Sequence, residues 1–236
     1  MKEKTKEVIS FFKRRYKLVI VFVFLILFLG IFQSVYSNEI MKLDKIGYNF
    51  VSKYLIKDTI TPIAKFITWF GGVIGLILLA IITTIAIKDK KVKICIWINL
   101  TTVALLNQIL KRIVQRPRPT EFRIIEESGY SFPSGHSMAS CAFYGFFIYL
   151  IFKRQKNKRL KVLFISLLSM LIILIGTSRI YLGVHYTSDV IAGFSITISY
   201  LTIFTSIVND YLDKPNGKSK EKRTGELNEI NRSNGK

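Results

Sequence analysis

LVIVFVFLILFLGIFQSVY, residues 18–36, runs for nineteen positions without a charged side chain. A helix needs about 20 such residues to cross ~30 Å of hydrocarbon, so this stretch decides the fold class. Seven Lys and Arg residues precede it, up to Lys17. A cleaved signal peptide has a similar basic start, and Val35-Tyr36-Ser37 loosely fits a cleavage site. The apolar run is, however, longer than the roughly 7–15 residues of a signal peptide. A retained membrane anchor is the favoured reading.

Five further blocks follow the same pattern: Ile63–Ile87, Ile94–Leu110, Pro133–Phe152, Val162–Gly176 and roughly Thr187–Val208. The third and fifth of the six lie near the lower length limit. The chain has 236 residues, half of them apolar, and a mean hydropathy of +0.35. The sequence therefore predicts an all-α, polytopic membrane protein with six transmembrane helices. Both cysteines, Cys95 and Cys141, fall inside apolar blocks. They offer no disulfide framework and no metal-ligand spacing, and read as small buried hydrophobes.

The net charge of +20 would suit a nucleic-acid binder if the protein were soluble. In a membrane protein, Lys and Arg instead gather on the cytoplasmic side, where they meet anionic lipid headgroups. The count alternates from connection to connection. Seven up to Lys17, four in Lys88–Lys93, six in Lys153–Lys161 and seven after Val208 place 24 of 35 on one side. Both termini are therefore expected in the cytoplasm, with no nucleic-acid partner. Three regions result: a basic cytoplasmic N-terminus (1–17), a six-helix membrane domain (18–208) and a disordered basic cytoplasmic tail (209–236). The tail has almost no apolar residues to bury.

Residues 38–62 form a longer external connection. In it Ile40, Leu43, Ile46, Phe50 and Leu55 recur at roughly helical spacing between lysines. An amphipathic helix at the interface and an ordinary packed loop helix fit this pattern equally. The glycines of FGGVIG, Phe70–Gly75, sit inside a span and read as close helix packing rather than a phosphate loop.

Three polar stretches meet the outer ends of the spans: KRIVQRPRP (111–119), PSGH (133–136) and SRIYLGVHYTSD (178–189). Pro133 suits the first turn of a helix, where its missing N–H costs nothing. Ser134, Gly135 and His136 would then present free N–H groups at the positive end of the helix dipole, which favours an anion. His185 and Asp189 are four apart and face the same way on a helix, so the carboxylate can fix the ring's tautomer. The other ring nitrogen is then free as nucleophile or base. Arg179 adds positive charge near the same end.

These stretches resemble the signature of the type 2 phosphatidic acid phosphatase (PAP2) superfamily, which also includes vanadium haloperoxidases. That signature is K-x6-RP, PSGH and SR-x5-H-x3-D, and Lys111 to Asp189 match it at every motif position. The resemblance covers about a third of the chain and implies a PAP2/haloperoxidase-like helical core. It implies a phosphatase in which His185 attacks phosphorus, Asp189 orients His185, and His136 protonates the leaving oxygen. Lys111, Arg118 and Arg179 would hold the phosphate oxygens, aided by the Ser134 hydroxyl and the Gly135 N–H. Phosphoryl transfer asks mainly for positioning and positive charge. Three fixed cations can meet a phosphate of about −2, so neither metal nor cofactor is expected. Glu121, Glu126, Glu127 and Asp189 are the acidic residues near the motifs, and they form no evident cluster.

The expected substrate is a membrane lipid phosphate or diphosphate, of the undecaprenyl diphosphate, phosphatidylglycerophosphate or phosphatidic acid class. It would be cleaved at the outer face of the cell membrane. A lipid-linked phosphotransferase using the same site and a non-catalytic protein with a vestigial anion site are the alternatives. A haloperoxidase is disfavoured, because its oxidation chemistry is not known to need six spans. Arg112 and Arg116 read as interfacial anchors, and Tyr181 and Tyr186 as aromatic-belt residues. Asn107 and Gln108 read as helix-packing polar groups rather than partners of Lys111. Ser178 either touches phosphate or caps a helix.

Overall fold

A computed structural model describes residues 2–37, 42–54, 56–57, 59–120 and 123–214, with side chains from residue 15 onward. Eight helices appear among them: α1 (Lys2–Tyr36), α2 (Lys42–Tyr54), α3 (Thr61–Trp69), α4 (Val73–Ala86), α5 (Lys90–Val114), α6 (Gly135–Arg154), α7 (Lys158–Tyr181) and α8 (Thr187–Asp213). The described residues contain no strand. Five helices are each long and apolar enough to cross a bilayer, and the bent pair α3–α4 makes a sixth crossing when counted as one. The protein is all-helical and multi-pass, as the apolar blocks predict.

The spans outrun the blocks that mark them. α5 has 25 residues and α7 has 24, because lysines at their starts and Arg179 near the end of α7 join the helices. Long basic side chains can keep the charge in the interface while the backbone stays helical. α8 likewise runs to Asp213, so residues 209–213 belong to the bundle and not to a disordered tail. Asn209 accepts from Tyr149 and Lys153, and Asp213 pairs with Lys153 at 2.7 Å. The rest of the expected tail, 215–236, lies outside the described residues.

α6 is the central helix, packed on α5, α7 and α8, while α1 lies along α8. Small residues line its first turns: Gly135, Ser137, Ala139, Ser140 and Ala142. Between membrane helices there is no hydrophobic drive, so close backbone approach and dispersion hold the contact. At Gly193 of α8 a Cβ would stand 3.1 Å from the Ser134 carbonyl oxygen, so the two backbones approach closely where α6 begins. Cys95 and Cys141 are buried and unpaired, as expected.

Ile63–Ile87, expected as one span, is broken at Phe70-Gly71-Gly72, where α3 and α4 meet at 51°. The glycines make a turn, with Gly71 N bonded to Thr68 O and Gly72 N to Trp69 O. A broken helix at membrane depth must satisfy its freed carbonyls inside the protein. The Tyr144 hydroxyl of α6 does this, donating 2.8 Å to Phe70 O.

Of the connection 38–62, residues 42–54 form α2, whose Ile46 and Phe50 are exposed while Asp44 and Val51 are buried. Ile40 and Leu55 of the expected apolar stripe lie outside the described residues.

Candidate active site

The C-terminal ends of α5 and α7 and the N-terminal ends of α6 and α8 converge with the 115–134 segment and the 182–186 turn. Each places at least one of the motif residues. α5 ends at Gln115 in a left-handed conformation (φ 50°), which turns the chain so that Arg116 and Arg118 point back into the bundle. A cavity of about 240 Å³ is lined by Lys111, Arg118, Glu127, Gly135, His136 and His185. Both histidines of the chain thus meet in one cavity. Its other wall is apolar, with Val73, Val103, Ala104, Met138 and Ala139 contributed by α4, α5 and α6.

His185 is held from both sides. Its Nε2 lies 3.2 Å from Arg118 Nη1, and its Nδ1 lies 3.3 Å from Asp189 Oδ2. A guanidinium can only donate, so Nε2 is the acceptor and the ring proton sits on Nδ1, facing the carboxylate. Asp189 belongs to the first turn of α8. Its Oδ2 also accepts from Tyr186 N at 2.9 Å, so the capping interaction that starts the helix also fixes the carboxylate. Burial lowers the pKa of His185 most strongly; Asp189 opposes this, Arg179 and Arg118 reinforce it, and the result is about 4. The ring is therefore neutral at neutral pH, with a lone pair on Nε2.

Arg118 and Arg179 are almost wholly buried, at 7% and 1% exposure. Arg118 is fixed by three carbonyls: Nε donates to Gly129 O, Nη1 to Val184 O and Nη2 to Ser128 O. Arg179 donates to Thr68 Oγ1 at 2.8 Å and to Glu127 Oε1 at 2.5 Å, while its Nε has no partner among the described residues. Burial works against charge on Glu127, but Arg179 and then Arg118 outweigh it and hold the carboxyl below its ordinary pKa. Half-buried Lys111 faces the same cavity from α5.

The start of α6 differs from the sequence expectation. Pro133 is not in the first turn: it precedes the cap, follows a cis peptide bond, and Ser134 is the N-cap of a helix that begins at Gly135. Nor is the Ser134 N–H free, since it donates to Asp189 O at 3.1 Å. The Ser134 hydroxyl accepts from Ser137 N and lies 3.0 Å from Ser137 Oγ, and the residue is fully buried. Capping the helix and clamping α8 occupy the Ser134 N–H and use its hydroxyl oxygen as an acceptor, and the residue does not line the cavity, although its hydroxyl proton is not committed. Gly135 and His136 do line the cavity. Asn107 donates to Pro133 O and holds this turn from α5, in keeping with a packing role. Exposed Gln108 also lines the cavity.

Several residues read as peripheral are structural. Arg116 is no interfacial anchor: it donates to Asp189 Oδ1 at 2.7 Å, to Ser188 Oγ at 2.7 Å and to Asp44 Oδ2 at 2.8 Å. Burial opposes charge on it, yet Asp189 and Asp44 together raise its pKa. Tyr186 is no belt residue either, because its ring lies 3.9 Å under the Arg116 guanidinium. Tyr181 is buried, with its hydroxyl 2.8 Å from Thr61 Oγ1. Ser178 neither caps nor faces phosphate, because its hydroxyl donates back to Ile175 O. Arg112 is exposed, consistent with an anchor. Asp44, Thr68 and Glu127 are the partners that sequence reasoning missed. The one available signal was Asp44, an acid set among lysines in a helix with an apolar face. Glu121 lies outside the described residues.

The family model of the PAP2 superfamily matches residues 74–213. Phosphatidylglycerophosphatase B of Bacillus subtilis (strain 168) is 38% identical over 99 residues, covering 40% of this chain and 47% of that protein. Lipid A 1-phosphatase of Rhizobium etli is 37% identical over 128 residues, covering 48% of this chain and 50% of that protein. The chain thus spans about half the length of these curated relatives. The crystal structure of a transmembrane PAP2-type phosphatidylglycerolphosphate phosphatase from Bacillus subtilis superposes with a TM-score of 0.68 at 25% identity. That superposition covers 83% of this chain and 97% of the other. With a match over more than half its length that includes all three motifs in order, the chain belongs to the PAP2 superfamily.

Proposed function

We propose that this protein removes phosphate from a membrane lipid phosphate or diphosphate through a phosphohistidine on His185. The observation that carries the reading is the orientation of His185: Nδ1 faces Asp189 and Nε2 faces Arg118, within a cavity that also holds Lys111 and His136. A phosphate bound by Arg118 would arrive along the Nε2 lone pair. Nε2 forms a bond to phosphorus while the ester P–O bond breaks and its electron pair leaves with the lipid oxygen. His136 donates the proton that oxygen needs. Water then attacks phosphorus, His136 takes its proton, the N–P bond breaks and the pair returns to Nε2, releasing inorganic phosphate. Asp189 stabilises the positive ring throughout. Arg118, Lys111 and Arg179 meet the charge on the equatorial oxygens, which is the main demand of phosphoryl transfer. The Gly135 N–H, at the positive end of α6, adds a donor. Ser134 supports this site as the cap of α6.

A lipid fits the walls. The cavity passes from cations to the apolar faces of α4, α5 and α6, which suits a charged head on a hydrocarbon chain. The names of the relatives, phosphatidylglycerophosphatase B, lipid A 1-phosphatase and a dolichyldiphosphatase, favour the same class. The excess of Lys and Arg on one side of the spans favours cytoplasmic termini, a site at the outer face of the cell membrane, and contacts between the basic segments and anionic headgroups. Among the described residues no three His, Cys, Asp or Glu side chains gather, and a metal-independent route is part of the proposal.

The test uses purified protein in detergent with phosphatidylglycerophosphate, undecaprenyl diphosphate and phosphatidic acid, each with and without EDTA. Phosphate release that survives EDTA is expected, together with an acid-labile ³²P adduct after rapid quench that His185→Ala abolishes. Turnover by His185→Ala removes His185 as nucleophile, and loss of activity in EDTA removes the metal-free route.

A further inference from the structure

α2 lies outside the membrane crossings, yet its Asp44 is 4% exposed and reaches the catalytic cluster. Asp44 Oδ1 accepts from Ser188 N at 2.8 Å, and Oδ2 accepts from Ser188 Oγ at 3.0 Å and Arg116 Nη2 at 2.8 Å. The other end of the Arg116 guanidinium is 2.7 Å from Asp189 Oδ1, and Asp189 Oδ2 faces His185 Nδ1. The groups run in alternating charge: Asp44, Arg116, Asp189, then the imidazole. We infer that Asp44 is a positioning residue for His185, acting through Arg116 to set how much of Asp189's negative charge remains for the imidazole.

A carboxylate that only tied α2 to α8 would need the two Ser188 contacts alone. Asp44 also takes half of a guanidinium whose other half holds Asp189. One positive charge shared between two carboxylates neutralises each only in part. All three side chains are at most 10% exposed, so water screens this sharing little. With Asn at position 44, Arg116 would be committed to Asp189, and the Asp189–imidazole hydrogen bond would weaken. With Gln at position 116, Asp189 would face His185 uncompensated, and the same bond would strengthen. The two substitutions therefore act on one proton in opposite directions, which loss of an anchor does not do. The consequence for turnover rests on His185 being the nucleophile, whereas the coupling itself does not.

The chain has two histidines, so ¹⁵N-histidine labelling of the full-length protein in detergent isolates the His185 ring once His136→Gln has assigned the other. The Nδ1–H proton resonance is expected to move upfield in Asp44→Asn, downfield in Arg116→Gln, and to stay near the wild-type position in Asp44→Glu. Outer partners of this kind typically change activity by ~10–100-fold. Accordingly kcat should fall about tenfold in Asp44→Asn with KM unchanged, and Asp44→Glu should recover most of it. An unmoved Nδ1–H resonance in Asp44→Asn overturns the inference, whatever happens to thermal stability. If that variant does not fold, Arg116→Gln decides: a downfield shift supports the coupling and an unmoved resonance ends it. A His185→Ala protein that still turned over would remove the nucleophile and leave these resonances to judge the coupling.

Discussion

Glu127 Oε1 accepts a 2.5 Å hydrogen bond from Arg179 Nη2, while its Oε2 stands 3.7 Å from Arg118 Nη2. One carboxylate, 30% exposed, thus bridges two buried guanidiniums that would otherwise repel one another. The same carboxylate faces the cavity proposed to bind phosphate, where it opposes a second anion.

Replacing Glu127 with Gln keeps a hydrogen-bonding group and removes the charge. Inorganic phosphate should then inhibit about three- to tenfold more tightly, the scale of one ordinary hydrogen bond. KM should fall, and kcat should fall with it as product leaves more slowly. Steady-state kinetics with added phosphate reads both effects. Weaker phosphate inhibition would mean that Glu127 serves mainly to organise the guanidiniums.

His185 also gives the protein an acid-side stability limit. Its folded pKa of about 4 lies below the ordinary value of about 6.5. Between those values the unfolded chain binds a proton there that the folded chain does not. This contribution is fully present above pH ~6.5 and is lost as pH falls toward 4. Thermal unfolding of wild type should therefore weaken with acidification across this window. His185→Gln, with no titrating ring, should show a shallower slope, and identical slopes would refute the assignment.

Arg118 uses all three of its nitrogens on fixed carbonyls and still reaches His185. A lysine keeps the charge but has no planar fork. Arg118→Lys should lower kcat/KM by about 100-fold while moving the melting temperature by only a few degrees, measured by phosphate release and thermal unfolding. Near-wild-type turnover would show that charge alone is needed at this position.

At Gly72 a Cβ would meet His136 Nε2 and Trp69 O at 3.4 Å each, which is ordinary contact. Gly72→Ala should therefore be tolerated. Gly72→Val places a branched group beside the imidazole and should cut kcat at least tenfold, given how steeply rate depends on placement. Equal activity of the two variants would show that the broken span does not press on His136.

Much of the fold could be read one residue at a time. Uncharged blocks of spanning length announce the crossings, because hydrocarbon accepts few charges, and the alternation of Lys and Arg between connections supports their number. The motif spacing likewise announces Lys111, Arg118, His136, Arg179, His185 and Asp189, because each sits at a fixed offset along its own helix or turn. What the sequence hides is pairing between distant segments. Nothing local to Arg116 distinguishes a lipid-facing anchor from the bridge between Asp44 and Asp189, 72 and 73 residues away. Ser134 looked like an anion donor until α8 came close enough, at Gly193, to take its N–H. At the break at Gly71-Gly72 the Tyr144 hydroxyl, from another helix, satisfies a carbonyl that the break frees. Sequence alone determined which segments cross the membrane and which side chains carry reactive groups, since both depend on local composition and spacing. Only the packed bundle decided which of those groups are spent on one another and which remain for a substrate, because a buried hydrogen bond or ion pair exists only once both partners have left water together.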